Sequence, residues 1–289
     1  MNEKIRNKIF GLLLFAVFYI AAYVIGYFSA FYIDELILRL FIFDIVATLV
    51  IYLLSLPIKN SSLYDAYWSL TPFVMATYLL VVSENLNVYH FIAYAVFAVW
   101  SFRLTINWVI TFQDIKWVDW RYRQIKENNN PFVWQIANLF GIMLMPTLLV
   151  FAGFVPLILA FGSKLNAFSL IGSAVILIGT ALEFFADRQM HAFLRSKDSG
   201  DVIRSGLWKY SRHPNYFGEI LIWVGAYFVL FPAVTEYWYT FVGALLIILL
   251  FNFVSITLAE KRQLERREAY KEYRMTTSRL LLLPPRKIK

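Results

Sequence analysis

Runs of about twenty consecutive apolar residues recur along this chain, and each is long enough to cross a bilayer core of about 30 Å as a helix. In lipid every segment must satisfy its own backbone hydrogen bonds, so a chain patterned this way folds as a bundle of membrane-spanning helices. Hydropathy places about eight spans, at 10–30, 35–56, 65–82, 88–110, 136–160, 166–187, 215–233 and 237–258. They form an all-α polytopic bundle within a single membrane domain over 1–289. A composition of 60% hydrophobic and only 16% charged residues leaves too much apolar surface for a water-soluble globule of 289 residues. The absence of cysteine excludes disulfides, thiolate catalysis, zinc–thiolate sites and iron–sulfur clusters.

The net charge of +8 suggests nucleic acid in a soluble chain, but here it marks cytoplasmic loops and contacts with anionic lipid or phosphate. Lys4, Arg6 and Lys8 precede the first run, which is longer than a signal-peptide core and lacks a clear cleavage site, so it reads as a retained span. With the N-terminus inside, the cytoplasmic segments carry Lys59, then Lys116, Arg121, Arg123 and Lys126. They go on to carry Arg188, Arg195, Lys197, Arg204, Lys209 and Arg212, and a tail from Lys261 to Lys289; the opposite loops offer Lys164. That bias predicts both termini in the cytoplasm, as in a multi-pass protein of a bacterial inner membrane. The fifth span is the one place for two half-crossings, broken at Pro146 and Pro156. The tail from Glu260 interleaves its charges at helical spacing and predicts one helix ending before Pro284-Pro285. Without internal repeats, an inverted-repeat transporter has little support.

Ionisable residues inside a bilayer are costly, so each is a functional candidate. Asp65 opens the third span beside Tyr67, and Arg103 lies in the fourth. Glu183, Asp187 and His191 share one helix face at the inner end of the sixth. A single metal on that stripe is geometrically possible, but such stripes are as a rule solvated, and we assign no metal. Three histidines on separate segments are too few for a di-iron site.

The densest constellation is Ser205-Gly-Leu-Trp-Lys-Tyr-Ser-Arg-His-Pro-Asn-Tyr-Phe-Gly-Glu219. Pro214 suits the first turn of a helix, which puts His213 at the cap and Asn215, Gly218 and Glu219 in the opening turns. A helix start next to Lys209 and Arg212 favours a phosphate or carboxylate. The plain alternative is a loop that pins the start of the helix at the headgroups.

This run, with Glu183-Phe-Phe-Ala-Asp187 before it, Tyr270-Lys-Glu-Tyr-Arg274 after it, and Asp65-Ala-Tyr-Trp and Asp119-Trp-Arg-Tyr-Arg123 upstream, resembles the bacterial membrane family DUF1295. That family is related to the steroid 5α-reductases and, more distantly, to isoprenylcysteine carboxyl methyltransferases and sterol reductases. The resemblance makes 1–34 an extra N-terminal span and 60–289 a reductase-like core, with 165–289 its most family-like part. It implies an NADPH-dependent reductase that delivers hydride to a C=C bond conjugated to the ketone of a steroid-like or other lipid substrate. Asp187, Asn215 and Glu219 then fall at cofactor positions, with Arg204, Arg212, His213, Tyr216, Tyr273 and Arg274 as phosphate or adenosine neighbours. Asp65 is the implied acid and Tyr67 the hydroxyl donor at the substrate carbonyl, with Arg103 nearby. The later tyrosine of the reductases corresponds to Trp100, whose indole donates one N–H and has no proton to give. Either the donor comes from elsewhere or the substrate is not a steroid-like enone.

No Gly-x-Gly-x-x-Gly fingerprint is present, so a Rossmann site is excluded and loop and tail cations would have to hold NADPH. The runner-up is a methyltransferase using S-adenosylmethionine, since Arg212-His-Pro-x-Tyr-x-Gly-Glu219 also looks like the carboxyl methyltransferases. Charge discriminates: NADPH brings three phosphate groups, whereas the methyl donor prefers acidic and aromatic walls. Ten basic residues in the tail and six in the loop 188–212 lean towards NADPH. A non-catalytic lipid-binding protein is the third reading. The partners expected are a hydrophobic substrate and membrane lipids, with no nucleic acid.

Overall fold

The computed structural model describes residues 3–196, 202–233 and 235–286. Lys197, Lys287 and Lys289 of the basic segments lie outside the described residues. Among the described residues ten helices account for the architecture, and there is no strand. They are α1 (Glu3–Ala30), α2 (Leu36–Ile58), α3 (Tyr67–Val82), α4 (Val88–Thr111), α5 (Trp120–Glu127), α6 (Pro131–Phe161), α7 (Ser169–Arg195), α8 (Pro214–Val229), α9 (Trp238–Arg266) and α10 (Ala269–Thr276).

All eight apolar runs are helices. Six of them, α1, α2, α4, α6, α7 and α9, are long and apolar enough to cross a membrane. The third and seventh runs form α3 and α8, each of 16 residues, or about 24 Å at 1.5 Å per residue. The fifth run is one continuous helix rather than two half-crossings. A π-helical stretch, Ala137–Leu144, widens α6 immediately before Pro146, where an ordinary α-turn would lose a donor. The sixth run continues two turns past 187 to Arg195. The tail is not a single helix: α9 carries the last span straight into it as far as Arg266. Arg267 then turns extended (φ −140°, ψ 109°) before α10 begins.

The chain divides into two compact units, one within Met1–Glu84 and Ser101–Gly162, the other within Asn85–Trp100 and Ser163–Lys289. In the first, α1 packs along α2 closely enough that a Cβ on Gly26 would lie 2.8 Å from the Phe43 carbonyl. Glu35 caps α2 by accepting from the N–H groups of Ile37 and Leu38, and Lys59 ends it in the left-handed region (φ 54°). The core of this unit is rich in tyrosine: Tyr19, Tyr64 and Tyr67 are buried with Phe15, Ile51 and Met143.

In the second unit α7 and α8 lie backbone to backbone. A Cβ on Gly179 would meet the Gly218 carbonyl at 2.6 Å, and one on Gly225 the Gly172 carbonyl at 2.8 Å. Small residues at a seven-residue spacing on both helices make this approach possible. The segment after α10 folds back on the loop before α8, where the Arg212 N–H donates to the Ser278 carbonyl (2.9 Å) and Ser211 Oγ to that of Leu280 (2.7 Å).

Candidate functional site

In the first unit the two candidates next to each other in sequence take separate partners. Tyr67 donates to Asp44 Oδ1 (2.7 Å) and to the Asp44 carbonyl (2.9 Å), both residues being buried. Its ring stacks on Tyr64 at 5.0 Å, and the Tyr64 hydroxyl hydrogen-bonds Thr147. Asp65 lies in the connector ahead of α3 and accepts from Tyr122 (2.8 Å), a residue of α5. Burial pushes the Asp65 carboxyl up to about 7, opposed by the Arg121 guanidinium nearby. The same burial raises the Tyr122 phenol well above its ordinary value, with the Asp65 charge adding to it. The acid paired with Tyr67 is therefore Asp44, in the middle of the second apolar run. Arg103 sits half-buried on α4, one turn beyond Trp100.

In the second unit Pro214 opens α8 and His213 stands at its cap position, as the Arg-His-Pro pattern predicts. One turn into α8, Glu219 is buried and accepts from two indoles: Trp100 Nε1 at 3.0 Å and Trp223 Nε1 at 2.9 Å. The two indoles meet edge to face at 5.3 Å, with Phe97 4.9 Å from Trp100. Trp100 is thus one of two hydrogen-bond donors to Glu219. At the polar end of the α7–α8 seam, Asn215 Nδ2 reaches Asp187 Oδ1 at 3.4 Å.

Arg212, His213 and Arg274 of the predicted cofactor set are gathered around a residue that motif reading passes over, Glu260 of α9. Its buried carboxylate lies 3.0 Å from Arg212 Nε, 3.3 Å from His213 Nε2 and 3.9 Å from Arg274 Nε. Arg212 also donates through Nη1 to the Arg274 carbonyl (2.6 Å). Burial holds His213 below the usual histidine value, partly offset by Glu260. Tyr216 stacks on His213, with the rings 5.5 Å apart and 5° from parallel. Tyr273 lies buried beneath, donating to the Trp208 carbonyl (2.5 Å). Arg204 pairs at the surface with Glu272 (3.0 Å).

A cleft of about 500 Å³ opens beside Glu260, lined by Arg212, Lys261, Arg274 and Arg279 together with Glu260 and Glu265. Four cations against two carboxylates, one of them already engaged by Arg212 and His213, give the cleft a positive excess. Arg279 is held there by the Asn252 carbonyl (2.7 Å) and Thr257 Oγ1 (3.0 Å). Glu260 was legible as the first charge after the last apolar run, one turn from the buried Ile256. Of its partners, Arg212 and His213 lie 48 and 47 residues away in sequence, so nothing local announces them.

The fold and these buried polar clusters define a polytopic helical membrane protein. The model of a family described as a protein of unknown function, DUF1295, matches residues 39–277, and the chain belongs to that family. No curated protein and no solved structure matches it. The match begins within α2, upstream of position 60, and leaves α1 outside.

Proposed function

We propose that this protein is a membrane-embedded, NADPH-dependent reductase of a conjugated C=C bond in a hydrophobic enone, steroid-like or another lipid. The observation that carries the reading is the cationic cleft beside Glu260. Arg212, Lys261, Arg274 and Arg279 offer several N–H donors to phosphate groups, and an arginine fork suits the 2′-phosphate that separates NADPH from NADH. Glu260 keeps Arg212 in place, since a buried guanidinium needs a fixed counter-charge. NADPH, when bound, supplies the hydride. Hydride addition would build negative charge on the substrate oxygen, which needs a hydrogen-bond donor beside it. The positive excess of the cleft disfavours the sulfonium of S-adenosylmethionine. The reading puts the cleft and both termini on the cytoplasmic side of a bacterial inner membrane, where the nucleotide is found.

The test is calorimetric binding of the detergent-purified full chain to NADPH, NADH and S-adenosylmethionine. NADPH binding at least tenfold tighter than NADH, lost in Arg274→Ala, supports the reading. Binding of the methyl donor alone overturns it.

A further inference from the structure

A second cavity, of about 360 Å³, lies in the first unit among α1, α2 and α3. Its walls are aromatic, formed by Tyr23, Tyr27, Phe31, Phe43 and Tyr78, and they contain one charged side chain, Arg39. Arg39 is half-buried; its Nε donates to the Ile33 carbonyl and its Nη1 to the Tyr78 hydroxyl at 2.8 Å, both uncharged partners. Glu35, one turn before it, is engaged in capping α2 through both carboxylate oxygens. A guanidinium in a largely apolar cavity, without a carboxylate among the described residues to neutralise it, complements an anionic ligand.

We infer that this cavity binds a single-chain anionic amphiphile, with a free carboxylate on Arg39 and Tyr78 and the chain along the aromatic walls. Size favours one chain, because the cavity is at the lower end of the ~300–1,000 Å³ typical of small-molecule pockets. Tyr27 and Phe31 stay 43% and 49% exposed at its rim, which leaves a path for a chain to enter from the lipid. Tyr23, Tyr27 and Phe31 belong to the part of the chain outside the family match of 39–277, so the site depends on the added helix α1. It does not depend on the reductase reading.

The experiment uses the full chain in phosphatidylcholine nanodiscs, photolabelled with a diazirine analogue of palmitate and mapped by peptide mass spectrometry. Labelling is expected on residues 23–43 and 74–78, competed by palmitate at concentrations at least tenfold lower than by its methyl ester, and reduced at least tenfold in Arg39→Gln. Equal competition by acid and ester in the wild-type protein overturns the inference whatever the variant does. Unchanged labelling in a folded Arg39→Gln protein overturns it as well. If phosphatidylglycerol in the nanodisc displaces the label as effectively as palmitate, Arg39 reads bulk headgroups and the inference also fails.

Discussion

Replacing Glu219 by glutamine keeps the shape of the side chain and changes what its two ends can do. The carboxyl group accepts an indole N–H at each oxygen, Trp223 at 2.9 Å and Trp100 at 3.0 Å. A glutamine amide has one oxygen and one NH₂, so whichever way it turns, an N–H donor faces an indole N–H. With both tryptophans fully buried, no water relieves that contact. The loss is one hydrogen bond plus one unsatisfied buried donor, about 2–3 kcal/mol in total. Trp100→Phe removes the opposing donor while leaving an aromatic ring against Phe97 and Trp223. Glu219→Gln should then cost at least about 1 kcal/mol less in the Trp100→Phe background than in the wild type. The four proteins of this cycle can be compared by reversible unfolding in mixed micelles, followed by far-UV circular dichroism so that losing a tryptophan does not disturb the signal. If the two substitutions are additive within about 0.5 kcal/mol, the double-indole account of Glu219 is wrong.

Glycine-to-alanine changes should have opposite outcomes inside the α7–α8 seam and outside it, in α6. Gly179→Ala and Gly218→Ala each press a Cβ to 2.6 Å from a backbone oxygen and should destabilise by about 1–3 kcal/mol. Gly141→Ala meets nothing within 4 Å and should be neutral or stabilise by up to about 1 kcal/mol in the same unfolding assay. His213, held neutral by burial, contributes stability that is present above about pH 6.5 and is lost as the pH falls through its lowered folded value. The midpoint should drop on acidification, and His213→Gln should flatten the drop; an unchanged slope refutes the assignment. Asp65 runs the other way: its value is raised to about 7, so the folded state holds a proton that the unfolded chain releases at lower pH. Stability due to this group declines as the pH rises from about 4 through 7, and Asp65→Asn should gain on the wild type over that window. If the difference between the two is independent of pH, Asp65 is not buried in the way described.

What was legible in the sequence follows from the range of each interaction. The apolar runs fixed the helices, because in lipid the backbone has no other way to satisfy itself, and the proline at N1 marked the start of α8. The tail failed locally, because interleaved charges suit a solvated helix but do not reveal that Glu260 faces inward. Asp44 is different, since an acid in the middle of an apolar run is conspicuous by cost alone, and attention to the motif at Asp65-Ala-Tyr-Trp draws the eye away from it. The pairing of Asp44 with Tyr67 spans 23 residues and that of Trp100 with Glu219 spans 119, which no periodicity encodes.

The tryptophan at position 100 is where these strands meet. Taken alone, the indole of Trp100 offers one N–H donor and no proton for acid catalysis. In the fold it completes a second donor on Glu219, so the position is occupied by a group with a defined partner. A carboxyl group bound by two fixed N–H donors in a dry site is held rigidly and has both oxygens engaged, the condition of a positioning group rather than of a proton donor. The acid–hydroxyl pair of the first unit is likewise closed on itself, the Tyr67 hydroxyl donating to buried Asp44. If the chain reduces an enone, Trp100→Tyr should therefore leave NADPH oxidation by that enone unchanged or lower. A Trp100→Tyr variant that gains turnover would show instead that a hydroxyl beside Glu219 takes part in the reaction.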